Sequence, residues 1–145
     1  MVNIEDKYNC CGCTACASIC AHDAITMTPD SLGFLYPKVN PELCVNCGLC
    51  DKVCQFHNNY NRYDNYDSPL AYQFRLSQDE QLQKSQSGGA FFAIADKFIV
   101  DGGVVYGAAF TDTWRVTHQK ANDSQTLNAL RMSKYVQSDL RGVYR

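Results

Sequence analysis

The feature that most constrains this chain is a cysteine pattern that occurs twice. The segment CCGCTACASIC and the segment that begins at Cys44 share the spacing C-x2-C-x2-C-x3-C. A shift of 34 positions carries Cys10, Cys13, Cys16 and Cys20 onto Cys44, Cys47, Cys50 and Cys54. Cys11 falls on Val45 and stands outside the repeat. Gly12 and Gly48 differ by 36 positions, so they mark similar loops without strict register. Self-similarity of this kind implies two copies of one supersecondary unit.

Three chemistries use clustered cysteines. Disulfides are disfavoured because the total of 9 is odd, all lie between Cys10 and Cys54, and the opening MVNIEDKYN has neither a basic nor an apolar targeting stretch. Zinc takes pairs of C-x2-C or cysteine–histidine mixtures around a tetrahedral ion, and has no need of a third cysteine two residues on. An iron–sulfur cubane does: three cysteines at x2 intervals let one tight loop wrap three corners, with backbone N–H groups turned toward the sulfurs. Small residues let that backbone approach closely, Gly12, Thr14 and Ala15 in one loop and Gly48 in the other. The fourth cysteine of each quartet is expected at the start of a short helix.

On these quartets, residues 1–57 resemble a bacterial-type two-[4Fe–4S] ferredoxin domain. The proline usual after the fourth cysteine is replaced by Ala21 and Gln55. The resemblance implies crossed ligand sets, because in such ferredoxins the fourth cysteine serves the other cluster. One cluster would take Cys10, Cys13, Cys16 and Cys54, and the other Cys44, Cys47, Cys50 and Cys20. Cys11 is the spare, expected to be a small residue in a tight loop. Between the quartets, ITMTPDSLGFLYPKV reads as a hairpin with strands Ile25 to Met27 and Phe34 to Val39 and a turn over Pro29–Gly33. Ile25, Phe34, Leu35 and Val39 are expected to wall the clusters from water.

Residues 58–69, NNYNRYDNYDSP, are polar and read as a linker with a boundary near Ser68–Pro69. Beyond it, LAYQFRLS alternates Tyr72, Phe74 and Leu76 and reads as a strand. A short helix over Asp79 to Ser85 with Ser77 as N-cap is expected next. AFFAIADKFIV reads as a helix closed by Gly102–Gly103. VVYGAAF and RVTHQKA read as paired strands around Asp112–Thr113, and Asp123 or Ser124 as the cap of a helix through Leu130. KYVQ is expected to be extended and a new helix to open at Ser138. That last helix has only two turns and contains Gly142, so the chain is expected to be the N-terminal part of a longer protein.

The order SGGAFFAIADKFIVDGGVVYGAAF, VTHQKA and LRMSKYVQSDL resembles the coenzyme F-420 hydrogenase/dehydrogenase beta-subunit family. The resemblance implies that residues 70–145 are part of a flavin-binding domain, and that FAD exchanges a hydride while the clusters relay single electrons. It places Ser87, Gly88, Gly89, Lys134, Gln137 and Ser138 as candidate flavin contacts, and a flavin or deazaflavin and a redox partner subunit as partners. Glycines flanking a helix are otherwise caps, Ser138 an N-cap, and Lys134 a solvated lysine. His22 and His57 read as surface histidines, and His118 lies on a strand without an evident acid–base partner.

The expected fold class is therefore α+β, a two-[4Fe–4S] ferredoxin-like domain followed by a partial α/β flavin-binding-type domain. A formal charge of −2 gives no electrostatic case for nucleic acid, and no apolar run is long enough to span a bilayer. A cytoplasmic electron-transfer oxidoreductase is expected. The alternative is a stand-alone ferredoxin-type carrier whose second segment docks a partner and binds no flavin.

Overall fold

The computed structural model describes residues 2, 7–57, 68, 70–140 and 142–144. The expected linker lies outside the described residues apart from Ser68. The chain divides into two compact units, Met1–Tyr66 together with Asp139–Arg145, and Asp67–Ser138.

In the first unit, helix α1 (Ala15–Ile19) and helix α2 (Leu49–Lys52) flank an antiparallel hairpin of β1 (Ile25–Pro29) and β2 (Leu35–Val39). Ile25 pairs with Val39 and Pro29 with Leu35, so Ile25 turns inward while Thr26 and Lys38 stay on the wet side. Asp30 holds the turn. Its Oδ1 accepts from the N–H groups of Leu32 at 2.9 Å and Phe34 at 3.0 Å. Its Oδ2 accepts from Lys7 Nζ at 2.9 Å, and that hydrogen bond is the main reason the carboxyl is held below its usual range. Phe34 stays outside β2 and is exposed. Among the described residues, the core of this unit is Val2, Cys16, Ile25 and Cys50, with Ala17, Cys20 and Val39 packed against them.

The second unit contains α3 (Asp79–Gln83), α4 (Ala90–Val100), the hairpin β3 (Val105–Phe110) and β4 (Val116–Ala121), and α5 (Ser124–Leu130). Val105 pairs with Ala121 and Phe110 with Val116. Phe92 and Ala95 of α4 meet Ala109, Ala121, Leu127 and Leu130 in one core, with Leu76, Ile99 and Val105 at its edge. Small alanines on the strands let both helices approach the hairpin. Helix α4 ends where the N–H of Gly103 returns to the Phe98 carbonyl at 2.8 Å and that of Gly102 to Ile99 at 2.9 Å. Asp123 caps α5 in a reciprocal box: its Oδ1 accepts from Thr126 N–H at 2.7 Å, and Thr126 Oγ1 accepts from Asp123 N–H at 3.3 Å.

Four expectations fail locally. Residues 70–77 form no strand, because no described strand pairs with them; one backbone bond, Leu76 N–H to Gly88 O at 2.9 Å, ties them down. The N-cap of α3 is Gln78 rather than Ser77, with no side-chain cap bond. KYVQ is irregular, with Tyr135 and Val136 exposed. No helix opens at Ser138: the chain turns at Gly142, whose φ is 93°, and closes a single bond from Val143 N–H to Leu140 O at 3.1 Å. A left-handed glycine stops a helix at its first turn.

The buried core of the second unit sets its stability. Leu127, 0% exposed, should cost about 2–5 kcal/mol when changed to Ala. Removing the cap with Asp123→Ala should cost about 1 kcal/mol. Urea unfolding followed by circular dichroism checks the ranking.

Candidate metal centre

The repeat is expressed in the backbone. Gly12 has φ 66° and Asn46 φ 56°; Thr14 has φ 63° and Gly48 φ 74°. Each pair is 34 positions apart, so the left-handed residues, unlike the two glycines, keep the register of the cysteines. Each loop reverses twice, once after its first cysteine and once just after its second. Thr14 and Gly48 are the N-caps of α1 and α2. For Thr14, a β-branched residue, this conformation carries strain of about 1–3 kcal/mol. Its side chain is buried, and among the described residues its Oγ1 has no hydrogen-bond partner. The strain and the unmet hydroxyl mark the loop as shaped by something other than its own stability.

The third cysteine of each quartet, Cys16 or Cys50, sits on the helix and is buried. The fourth follows the helix instead of starting it: Cys20 is the C-cap of α1, and Cys54 comes one residue after Val53, the C-cap of α2. The short helices thus carry each fourth cysteine away from the loop that holds the other three.

Two cavities result. Cys10, Cys13, Cys16 and Cys54 line one, with Cys11, Met27, Pro37 and Phe56 among its walls. Cys20, Cys44, Cys47 and Cys50 line the other, with Ile25, Val39 and Val45 among its walls. They enclose about 370 and about 380 Å³ of atom-free space, part of it open to solvent. Each draws three quartet cysteines from one loop and the fourth from the other half of the repeat, and Cys11 adds a further sulfur to the first. Phe34 and Leu35 line neither cavity, whereas Ile25 and Val39 line the second.

The electrostatics suit a bound cation. Burial pushes the thiols of Cys10, Cys13 and Cys16 up, the last to about 11. The backbone N–H groups of Gly12, Ala15 and Ala17 oppose it by pointing at the three sulfurs in turn. In the other quartet, Val2 N–H donates to Cys50 Sγ at 3.2 Å and Ala24 N–H to Cys20 Sγ at 3.4 Å. Four quartet sulfurs per cavity, amide donors among them and largely apolar walls fit a cubane cluster held by thiolates. When bound, such clusters supply one-electron chemistry. The chain's own residues supply the thiolates, the N–H dipoles and the exclusion of water. Tyr144, near Cys13 and Cys11, has its phenol pushed up, chiefly by burial and then by those two thiols.

The candidate flavin contacts are dispersed. A Cβ on Gly88 would stand 1.9 Å from the Phe74 carbonyl oxygen, so Gly88 is glycine for close packing. Lys134 Nζ donates to the carbonyls of Arg131 at 2.6 Å, Ala129 at 3.2 Å and Met132 at 3.2 Å, capping the end of α5. Ser138 Oγ lies 2.8 Å from His118 Nδ1, which gives that histidine a partner. Gln137 is half-buried. Of the six, Gly89 alone lines the cavity of this unit, where it is joined by Ser85, Phe91, Phe92, Leu130 and Arg131. That cavity holds about 580 Å³ of atom-free space, open on one side.

Arg131 escaped the sequence reading. It is 6% exposed, and its guanidinium stands 4.3 Å from the centre of the Phe92 ring. It donates to Gln81 Oε1 at 2.8 Å, Gln81 O at 2.6 Å, Ser85 Oγ at 2.7 Å and Asn128 Oδ1 at 3.2 Å. Within the motif LRMSKYVQ only its adjacency to the apolar end of α5 hinted at burial.

The fold and paired cavities of the first unit define a ferredoxin-type, cluster-binding segment. Residues 9–58, about a third of the chain, match the family described as 4Fe-4S dicluster domain. A subunit of the Na(+)-translocating ferredoxin:NAD(+) oxidoreductase complex of Acetobacterium woodii is 42% identical over 48 residues, which is 33% of this chain and 13% of that protein. An uncharacterized polyferredoxin-like protein of Methanocaldococcus jannaschii is 35% identical over 60 residues, 36% of this chain and 36% of that protein. The chain thus spans well under half the length of either relative. These matches make residues 9–58 similar to ferredoxin-type iron–sulfur domains. Among the described residues, no helix is long and apolar enough to cross a membrane.

Arg131 ties α3 to α5 through hydrogen bonds to a charged group, each worth about 1.5–3 kcal/mol when buried. Arg131→Met should therefore lower the unfolding free energy of the second unit by about 2–4 kcal/mol in urea titrations. An unchanged midpoint would mean that the guanidinium is not a brace.

Proposed function

We propose that the chain relays single electrons through two [4Fe–4S] clusters held by crossed quartets. Cys10, Cys13, Cys16 and Cys54 hold one; Cys44, Cys47, Cys50 and Cys20 hold the other. The observation that carries this reading is the lining of the two cavities, three quartet sulfurs from one half of the repeat and one from the other in each case. Cys16 and Cys50, one from each quartet, share a single small core with Val2 between the loops. An electron passing from one quartet to the other therefore stays within packed protein.

The test is a pair of substitutions on anaerobically prepared protein. Cys11→Ser should leave about eight irons bound, whereas Cys20→Ser should damage the cluster held by the loop at Cys44 to Cys50. Iron analysis and electron paramagnetic resonance read the outcome. A colourless protein with two zinc ions would overturn the reading altogether.

We also propose that the second unit contributes to a flavin site, so that the hydride chemistry of FAD and the one-electron chemistry of the clusters meet in one assembly. What supports this is the cavity at Gly89, which opens at the N-terminus of α4 and has the Phe92 ring and Arg131 on its walls. The neighbouring candidates Lys134 and Ser138 act as the cap of α5 and the partner of His118. The relative from Acetobacterium woodii is a subunit of an oxidoreductase complex, which favours a redox partner subunit here as well. Flavin extraction from the anaerobically purified protein checks the proposal: about one FAD per chain is expected to co-purify. No FAD, even when the chain is prepared with its redox partner, would favour the simple carrier.

A further inference from the structure

Among the described residues, Arg131 is a buried cation without a counter-charge. It is 6% exposed, and each of its hydrogen bonds goes to a neutral group: Nη1 donates to Gln81 Oε1 and Asn128 Oδ1, Nη2 to Gln81 O and Ser85 Oγ. Its Nε–H, also buried, meets no acceptor among the described residues. Carboxylates on the neighbouring elements are engaged elsewhere. Asp79 Oδ1 stands 3.7 Å from Arg75 Nη2, Glu80 Oε1 accepts from Lys84 Nζ at 2.6 Å, and Asp123 Oδ1 accepts from Thr126 N–H at 2.7 Å. A charge this far from water is ordinarily paired, because burial strips its hydration and only a partner replaces it.

The same residue lines the cavity of the second unit, where a second source of positive potential opens. Helix α4 starts from Gly89 as its N-cap, at φ 76°, and a glycine has no side chain with which to cap the first-turn N–H groups of Ala90, Phe91 and Phe92. Gly89, Phe91 and Phe92 all line the cavity, and among the described residues no carboxylate does. With 11 residues, α4 is long enough for its backbone dipoles to add up at this end. The Arg131 guanidinium stands 4.3 Å from the centre of the Phe92 ring, so the cation lies against the first turn of a helix whose N-terminus is itself positive. Two positive groups at one open cavity repel each other unless an anion joins them.

We propose that the cavity at Gly89 is an oxyanion site that takes the phosphate group of a small ligand, with Arg131 Nε–H and the first-turn amides of α4 as its donors. The proposal rests on the ligand site proposed above for this cavity and adds the charge of the group that enters it. Phosphate esterified to an organic ligand and free inorganic phosphate present the same kind of oxygen to these donors. Binding makes hydrogen bonds and an ion pair; no covalent bond forms or breaks.

The test is calorimetric titration of the anaerobically purified full chain with inorganic phosphate, FAD and riboflavin, the last being a flavin without phosphate. Sodium chloride of matched ionic strength is the control. Inorganic phosphate is expected to bind at one site per chain. Arg131→Met and Ser133→Asp should each weaken it by about tenfold or more, the first by removing the cation and the second by setting a like charge on the cavity wall. Should Arg131→Met fail to fold, Ser133→Asp, which leaves the hydrogen bonds of Arg131 in place, decides. Phosphate that fails to bind at millimolar concentration, or that binds Ser133→Asp as well as the unaltered chain, overturns the proposal. The two flavins separate it from the flavin reading. Phosphate binding without FAD binding removes the flavin and leaves the oxyanion site standing. FAD and riboflavin bound alike, with no binding of phosphate, leaves the flavin and overturns the oxyanion site.

Discussion

The first unit depends on how buried sulfur is kept compatible with negative charge. A thiol such as Cys16, raised to about 11 by burial, keeps its proton at neutral pH unless a cation replaces it. The loops answer that cost with amides. Left-handed turns at Gly12, Thr14, Asn46 and Gly48 bend the chain tightly around the cysteines, and the N–H groups of Gly12, Ala15 and Ala17 point at sulfur. The strain at Thr14 and its unpartnered hydroxyl follow from the same demand. Among the described residues, two of the four members of this unit's buried core, Cys16 and Cys50, are themselves cysteines of the quartets.

The second unit works differently. Its core is ordinary, alanines on a hairpin beneath two helices, and polar residues that look like a site are largely taken up by structure. Lys134 closes the carbonyl end of α5, and Arg131 ties α3 to α5 while facing Phe92. A motif can therefore be composed of chemically suggestive residues that serve the fold. What is left after that accounting is the cavity at Gly89, bounded by a helix N-terminus and aromatic rings.

Legibility followed the range of the signal. The hairpin of β1 and β2, α4 with its glycine stop and the Asp123 cap are local patterns, and each was readable because the residues that decide it are within a few positions. The dicluster character was readable because each quartet's spacing is local to one loop. Residues 70–77 misled because alternation shows a face but not a pairing partner. The end of the chain misled because apolar Val143 and Tyr144 suggest a helix face, whereas Gly142 turns the backbone and Tyr144 comes near Cys13 and Cys11. Arg131 and Gln55 were invisible because their partners, Gln81 and Cys11, are distant in sequence.

The placement of Cys54 has a consequence for the order in which the protein can be made. The cavity shaped by the first loop lacks its fourth sulfur until residue 54 has left the ribosome, although its other three are in place by residue 16. The second cavity needs Cys20 from behind it, already synthesised and waiting. Neither half of the repeat supplies all the cysteines that line its cavity. The lining of each cavity is thus complete only when both halves of the repeat exist.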